Sequence, residues 1–439
     1  MSQEKGSAEK AKQIVSEMSL EEKSAFCSGK NFWYLKSLAR LDLPSIMVTD
    51  GPHGLRKQDS QADHVGLNAS VPATCFPTAS ALACSWNVDL MHEIGVALGK
   101  ECAKEKVSVL LGPGMNIKRH PLCGRNFEYF SEDPVLTGEM AAALIEGVQS
   151  QGVGTSVKHY AVNNQERGRM FVDAIVDERS LREIYLKGFE IAVKKSQPWT
   201  VMSSYNRVNG VYCGEDDFLL NRVLRQEWGF EGLVVTDWGA TNDRVKSVSA
   251  GLDLEMPASG GVNDHLVLAA VKSGTLPEAD LDQIIQRNVE LILKSSGVRS
   301  RDIELNKTLH HALAKRAAGE SMVLLKNEER QLPWKISSKV AVIGAFAKHP
   351  RYQGAGSSQV TPTSLDNAYD CIASAIGDSG SVAYAAGYDH LQSELDQALL
   401  EEAVSVAASA SAVVLFVGLP AIDESEGFDR QHMDIPRQQ

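Results

Sequence analysis

The chain has 439 residues, 43% hydrophobic and 23% charged, and a formal net charge of -12. That length exceeds what one hydrophobic core usually serves, so two domains are expected, and the acidic balance gives no electrostatic footprint for nucleic acid or an anionic membrane. No apolar run reaches the ~18 residues needed to span a bilayer, and the charged opening from Met1 to Lys12 lacks the apolar core of a secretory signal.

The seven cysteines are odd in number and form no CxxC pair, which fits a reducing cytoplasm better than a disulfide framework or structural zinc. No HExxH occurs, and neither a metal nor a cofactor is expected.

In chain order, Ser19-Leu-Glu-Glu22 predicts a capped helix, and Pro44 to Asp50 a short strand running into the turn Gly51 to Arg56. Val88 to Lys106 has helical periodicity and leads to a strand at Val107–Leu111. The loop after it holds Lys118, Arg119, Arg125 and Glu128. A helix over Asp133–Gln149 precedes the strand Gly154–Tyr160, and a helix over Glu178–Lys195 precedes the strand beginning at Thr200. After a helix at Phe218–Glu227 comes the strand Gly232-Leu-Val-Val-Thr-Asp237-Trp238, then another at Leu252–Met256 and helices through Leu293. Strand, polar loop and helix recur about every 40 residues, the pattern of parallel βα units.

The fold class is therefore α/β, with a (β/α)8-type barrel over residues 1–299 whose first strands are irregular. Residues 300–318 read as a linker. From 319 to 439, strands at Lys339–Gly344, Val382–Tyr384 and Ala412–Gly418, with helices at Ser364–Ile376 and Leu391–Ala408, read as the opening half of a doubly wound α/β sandwich.

The barrel strands end in Asp50, Lys158, His159, Tyr205, Asp237 and Glu255, which would converge on one mouth. An Asp there caps a helix or faces a ligand. The recurrence of polar residues at successive strand ends favours the ligand. Carboxylates, cations and the Trp238 indole suit a polyhydroxylated, uncharged ligand, and the acidic loop Asp423 to Arg430 adds the second carboxylate that glycoside cleavage requires. No GxxxxGK[ST] is present, and Val340-Ala-Val-Ile-Gly344 is not followed by GxGxxG, so phosphate and dinucleotide readings fail. The bland alternatives are buried ion pairs of Arg125 and Lys158 with Asp50 or Glu128, a core Trp238, and a merely solvated acidic loop at Glu424 and Glu426. Arg119 and His120 read equally as structural or as an outer subsite.

Asp50-Gly-Pro-His-Gly-Leu-Arg56, Gly124-Arg125-Asn-Phe-Glu128, Lys158-His159-Tyr160, Met202-Ser-Ser-Tyr205-Asn206 and Val235-Thr-Asp237-Trp238-Gly239 resemble, in order, the motifs of glycoside hydrolase family 3. Within it the chain looks most like intracellular bacterial β-glucosidases. The resemblance implies that Asp237 is the nucleophile, and that Asp50, Arg125, Lys158 and His159 hold sugar hydroxyls beside a stacking wall at Trp238. It further implies that Met202 and Tyr205 line the nucleophile's side and that Arg56 orients a neighbour. Glu426-Gly-Phe-Asp-Arg430 matches the family's acid/base motif, although spacing alone does not separate Glu426 from Glu424.

A retaining mechanism would put the Asp237 and Glu426 carboxyls about 5 Å apart and raise the acid's pKa toward about 6. The substrate would be a β-glucoside or short oligosaccharide. A β-xyloside remains an alternative, as does an inactive sugar-binding fragment. The β-N-acetylglucosaminidase branch carries Lys-His-Phe-Pro-Gly-His-Gly, whereas here Lys158-His159 continues Tyr-Ala-Val-Asn-Asn-Gln165. Family members normally continue past Asp434-Ile-Pro436, so the second sheet is expected to be unfinished, with a homo-oligomer or a missing C-terminal part completing it.

Overall fold

The computed structural model describes residues 2–58, 62–63, 66–300, 303–334 and 338–439. Five short parallel strands form the wall of the first domain: β1 Val48–Asp50, β2 Val109–Leu111, β3 Gly154–Tyr160, β4 Thr200–Ser203 and β5 Leu233–Thr236. They lie side by side in chain order. Every residue in them is buried, because helices cover the outside and side chains fill the inside.

The ring is completed by segments too short to count as strands. Leu254 bridges Val235 in parallel, Glu255 bridges Ser28 in parallel, and Gly29 and Tyr34 pair antiparallel with Leu35 and Met47. The Val48 N–H then donates to the Trp33 carbonyl at 2.9 Å, returning the ring to β1. A hairpin around residues 29–35 thus stands where a regular barrel has a βα unit, which is the irregularity expected near the first strands. The helix Leu20–Phe26 feeds this hairpin and starts at a capping box between Ser19 and Glu22.

The outer helices follow the periodicity of the sequence. Val88–Lys104 is capped by Asn87, and Pro134–Ser150 by Asp133 with proline in its first turn. Phe218–Glu227 is helical but wound in π-type turns, and its Leu219 carbonyl accepts the Tyr160 hydroxyl at 2.9 Å. The helix Lys307–Glu320 lies in the stretch read as a linker, of which residues 301 and 302 fall outside the described residues. It packs on the barrel, with His310 Nδ1 2.6 Å from Glu101 and the Asn87 amide donating to Glu320 at 2.8 Å.

The second domain is built on three parallel strands: β6 Lys339–Ile343, β7 Ser381–Ala385 and β8 Ala412–Leu415. β6 lies between the other two, the order that opens a doubly wound sheet. Val340 and Val342 meet Tyr369 and Ile372 on one face; Ala341, Ile343 and Ala385 meet Ala403 on the other. Among the described residues no strand pairs with the outer edge of β8, where Val413 and Leu415 are exposed.

The domains meet over the barrel mouth, where Ala73 pairs with the 361–363 segment through the Ala73 N–H to Thr361 and the Thr363 N–H to Ala73. No helix among the described residues is long and apolar enough to cross a membrane.

Candidate active site

β1 ends in Asp50, and β3 in Lys158, His159 and Tyr160. In a regular strand, Lys158 and His159 would point to opposite faces. The β3 register against β4 shifts between Val157 and Tyr160, and both side chains line one cavity. Asp237 follows the last residue of β5 and is fixed by its N–H to the Ser203 carbonyl at 3.0 Å.

The cavity is lined by Asp50, Arg125, Lys158, His159, Met202, Tyr205, Asp237, Trp238, Ser357 and Glu426. Nine of the ten residues to which the family resemblance gives a role are therefore brought together. The tenth, Arg56, lies behind Asp50, 3.5 Å from it and 3.0 Å from Asp63. Glu255 does not line the cavity and accepts from the Asn263 amide at 2.6 Å. Arg119 and His120 line a separate groove shared with Phe428 and Arg430.

Charges alternate around the wall. Lys158 lies 3.6 Å from Asp50 and 4.0 Å from Glu128, and Arg125 donates to Glu128 at 2.7 Å while standing 3.6 Å from Glu426. Arg125 and Lys158 thus make the ion pairs of the bland reading and face the cavity as well. Burial pushes the Asp50 carboxyl up to about 6, against the pull of Lys158 and Arg56.

His159 sits between two partners. Its Nδ1 is 3.1 Å from the Tyr129 hydroxyl, which accepts from the Asn163 amide at 3.3 Å; among the described residues Nδ1 is the acceptor within reach of the hydroxyl proton, which therefore goes to Nδ1. Nε2 then carries the hydrogen and faces Asp237 Oδ2 at 3.6 Å. Burial, followed by the nearby Arg125 and Lys158 cations, holds the imidazole well below its usual pKa, so the ring is neutral.

Asp237 Oδ1 accepts the Trp238 N–H at 2.7 Å, while Oδ2 is buried and accepts no hydrogen bond among the described residues. Burial raises this carboxyl, with Arg169 and Arg125 opposing. Trp238 is fixed edge and face: its Nε1 donates to the Phe32 carbonyl at 3.0 Å and its ring stands 5.4 Å from Trp33. The Tyr205 hydroxyl donates to the Trp238 carbonyl at 2.9 Å.

The two glutamates of the acidic loop separate in space. Glu424 faces Arg351 at 3.7 Å and does not line the cavity, whereas Glu426 does. Glu426 accepts from Arg169 at 2.8 Å and from the Ser357 N–H at 2.9 Å. Gly356 lets the carboxylate in: a Cβ there, at φ +92°, would lie 2.6 Å from Glu426 Cβ.

The expected upward shift of the acid is not what the pocket's own residues produce. Burial would raise the Glu426 carboxyl, but Arg125, Arg169 and the Ser357 bonds together hold it well below the carboxylate range. Glu424 is the one raised, through burial. Position distinguishes the pair better than charge state, since only Glu426 reaches the cavity.

Sequence reasoning missed Arg169, Glu166, Ser357 and Tyr129. Arg169 bridges Glu166 and Glu426 at 2.8 Å each and lies over the Tyr205 ring. The signal was the charged Gln165-Glu-Arg-Gly-Arg169 run directly after a catalytic-looking strand end.

Fold and site define a two-domain barrel protein whose pocket is closed by a loop of the second domain. The N-terminal domain model of glycosyl hydrolase family 3 matches residues 36–291, and the C-terminal domain model matches residues 322–439. The chain belongs to glycosyl hydrolase family 3.

It is 55% identical over 428 residues to thermostable beta-glucosidase B of Acetivibrio thermocellus, covering 98% of this chain and 57% of that protein. It is 48% identical over 437 residues to an exo-alpha-(1->6)-L-arabinopyranosidase of Bifidobacterium breve, covering 97% and 57%. Among solved structures, the GH3 beta-glucosidase of Bifidobacterium adolescentis superposes with a TM-score of 0.91 at 48% identity, over 97% of this chain and 60% of that one. Beta-glucosidase 3B of Thermotoga neapolitana, in complex with alpha-D-glucose, gives 0.84 at 34% identity, over 97% and 64%. The chain thus spans less than two thirds of the length of these relatives.

Proposed function

We propose that this chain carries the catalytic site of a retaining β-glucosidase. The observation that carries the proposal is the meeting of Asp237, from the barrel, and Glu426, from the second domain, in one small cavity lined by Asp50, Arg125, Lys158 and His159. In this reading Asp237 Oδ2 attacks the anomeric carbon as Glu426 protonates the departing oxygen. Glu426 then takes a proton from the water that cleaves the glycosyl ester, and two inversions give retention. Asp50 accepts from sugar hydroxyls, Lys158 and Arg125 donate to them, and neutral His159 offers its Nε2 hydrogen. Trp238 supplies the apolar wall. Glu426 must gain a proton first. Binding a neutral sugar displaces solvent from the open part of the pocket, strengthens the repulsion between Glu426 and ionised Asp237, and so supplies that upward push.

The names of relatives support a β-glucoside, and one relative's name adds an α-L-arabinopyranoside to the choices. The test is a panel of aryl β-glucosides, β-xylosides, β-N-acetylglucosaminides and α-L-arabinopyranosides, with proton NMR of the first product. β-Glucose released first from a β-glucoside is the expected result; α-glucose first would remove the nucleophile assignment. Binding without turnover would leave the sugar-binding alternative. The seven cysteines are all unpaired, which supports a reducing compartment, and we place the protein in the cytoplasm.

A further inference from the structure

We propose that Asp429 is the positioning residue that docks the acid/base loop onto the barrel, a role that rests on reading Glu426 as the acid/base. Asp429 comes three residues after Glu426, and its carboxylate turns away from the cavity. Its Oδ1 accepts the N–H groups of Gly124 at 3.1 Å and Glu166 at 2.9 Å, and its Oδ2 accepts the Arg167 N–H at 2.9 Å. These donors come from two loops, one after β2 and one after β3. A single side chain of the second domain thus ties both to itself, through hydrogen bonds strengthened by its charge.

Two backbone bonds flank Asp429 and hold the same stretch after Glu426. Glu166 Oε2 accepts the Gly427 N–H at 2.8 Å, and the Arg430 N–H donates to the Leu122 carbonyl at 2.8 Å. The other ties are polar as well: Glu426 itself accepts from Arg169 and the Ser357 N–H, and Arg351 donates to the Glu424 carbonyl at 3.3 Å. The loop's two large apolar side chains, Ile422 and Phe428, are both exposed, so burial contributes little to its placement. Contact with the barrel is backbone to backbone: a Cβ on Gly124 would lie 1.9 Å from the Phe428 carbonyl oxygen and 2.3 Å from that of Ser425. Through these bonds the position of a proton donor on one domain is referred to loops that hold Arg125 and Arg169 on the other.

General acid catalysis is sensitive to such placement. A misplacement of about 1 Å costs on the order of 10²-fold, and losing the acid outright costs roughly 10²–10⁴-fold. The cost falls on leaving groups that need a proton. The test therefore measures kcat/KM for phenyl and for 2,4-dinitrophenyl β-glucoside in the wild type, Glu426→Ala, Asp429→Ala and Gly124→Ala, with hydrogen exchange of the 420–431 amides. Glu426→Ala sets the benchmark: selective loss of kcat/KM on the phenyl substrate, with azide raising kcat on the dinitrophenyl substrate, where deglycosylation is limiting. If that variant loses nothing selectively, the acid/base reading itself is overturned.

With the benchmark in place, Asp429→Ala is expected to lose on the order of 10²-fold on the phenyl glucoside, but only about threefold on the dinitrophenyl glucoside. Its loop amides should exchange about tenfold faster than wild type. Uniform loss on both substrates, or unchanged exchange, would overturn the proposal. Should Asp429→Ala fail to fold, Gly124→Ala wedges the same contact with Asp429 intact and must show the same selectivity.

Discussion

A buried carboxylate oxygen that accepts no hydrogen bond carries a desolvation cost of about 1–3 kcal/mol, and Asp237 Oδ2 is such an oxygen among the described residues. The cost is useful, because an oxygen already stripped of water is free to attack. Asp237→Asn removes the charge and keeps the shape, so turnover should fall by more than about 10³-fold while binding survives. The thermal midpoint should stay or rise, since the variant no longer buries an anion; a lower midpoint together with retained activity would make Asp237 a structural cap.

Asp50 gives the pH dependence. Burial lifts its folded pKa to about 6, so it is protonated below that pH and loses its ability to accept two sugar hydroxyls. kcat/KM should therefore fall as pH drops through about 6. Asp50→Asn should abolish that limb and lower kcat/KM by roughly 10²-fold or more, from lost charged hydrogen bonds worth about 1.5–3 kcal/mol each. A limb that persists unchanged in Asp50→Asn would assign it to another group.

At the scale of elements, the strand ends do the positioning, and what precedes them determines whether they are in place. The helix Leu20–Phe26 leads into Ser28 and Gly29, two of the residues that close the barrel, and its start rests on the Ser19–Glu22 box. Ser19→Ala should cost about 1 kcal/mol in urea unfolding, because it leaves the Glu22 N–H without its side-chain acceptor, while the residue-19 N–H can still donate to the Glu22 carboxylate. A change under a few tenths would mean the hairpin holds without its helix.

The same elements explain what could be read in the sequence. Val109–Leu111 and Leu233–Thr236 are apolar runs because both faces are covered, and an Asp after such a run stands out. The closing segments at 28–29, 34–35 and 254–255 pair over one or two residues each, too few to impose any periodicity. Ser357 reaches Glu426 through its backbone N–H, which leaves no trace in residue type. Arg169 meets Glu426 across 257 positions, and only the fold of both domains brings them together.

On the scale of the whole molecule, the two domains differ in how well they cover their apolar surface. The barrel core runs continuously through its helices, and Lys307–Glu320 seals onto it with Ala314 and Ala317 buried. Directly after that helix, Met322, Val323, Leu324 and Leu325 are 78%, 60%, 64% and 91% exposed, a run that is costly in water and open to a protease. The exposed side chains of β8 add to the same side of the balance. Chymotrypsin should therefore cut first within residues 322–325, leaving a barrel fragment that ends just after Glu320.

Because the pocket takes Glu426 and Ser357 from the second domain and the remaining lining residues from the first, a sugar ligand should bind only when the two are docked. A ligand at 100 times its Kd then stabilises the docked state by about 2.7 kcal/mol and should slow any cut that needs undocking by about 100-fold. Glucose or gluconolactone should thus protect the second domain from degradation and leave the first cut at 322–325 nearly unchanged, since that segment is exposed even when docked. Equal degradation of the second domain with and without saturating sugar would show that ligand binding does not couple the domains, and would count against a site shared between them.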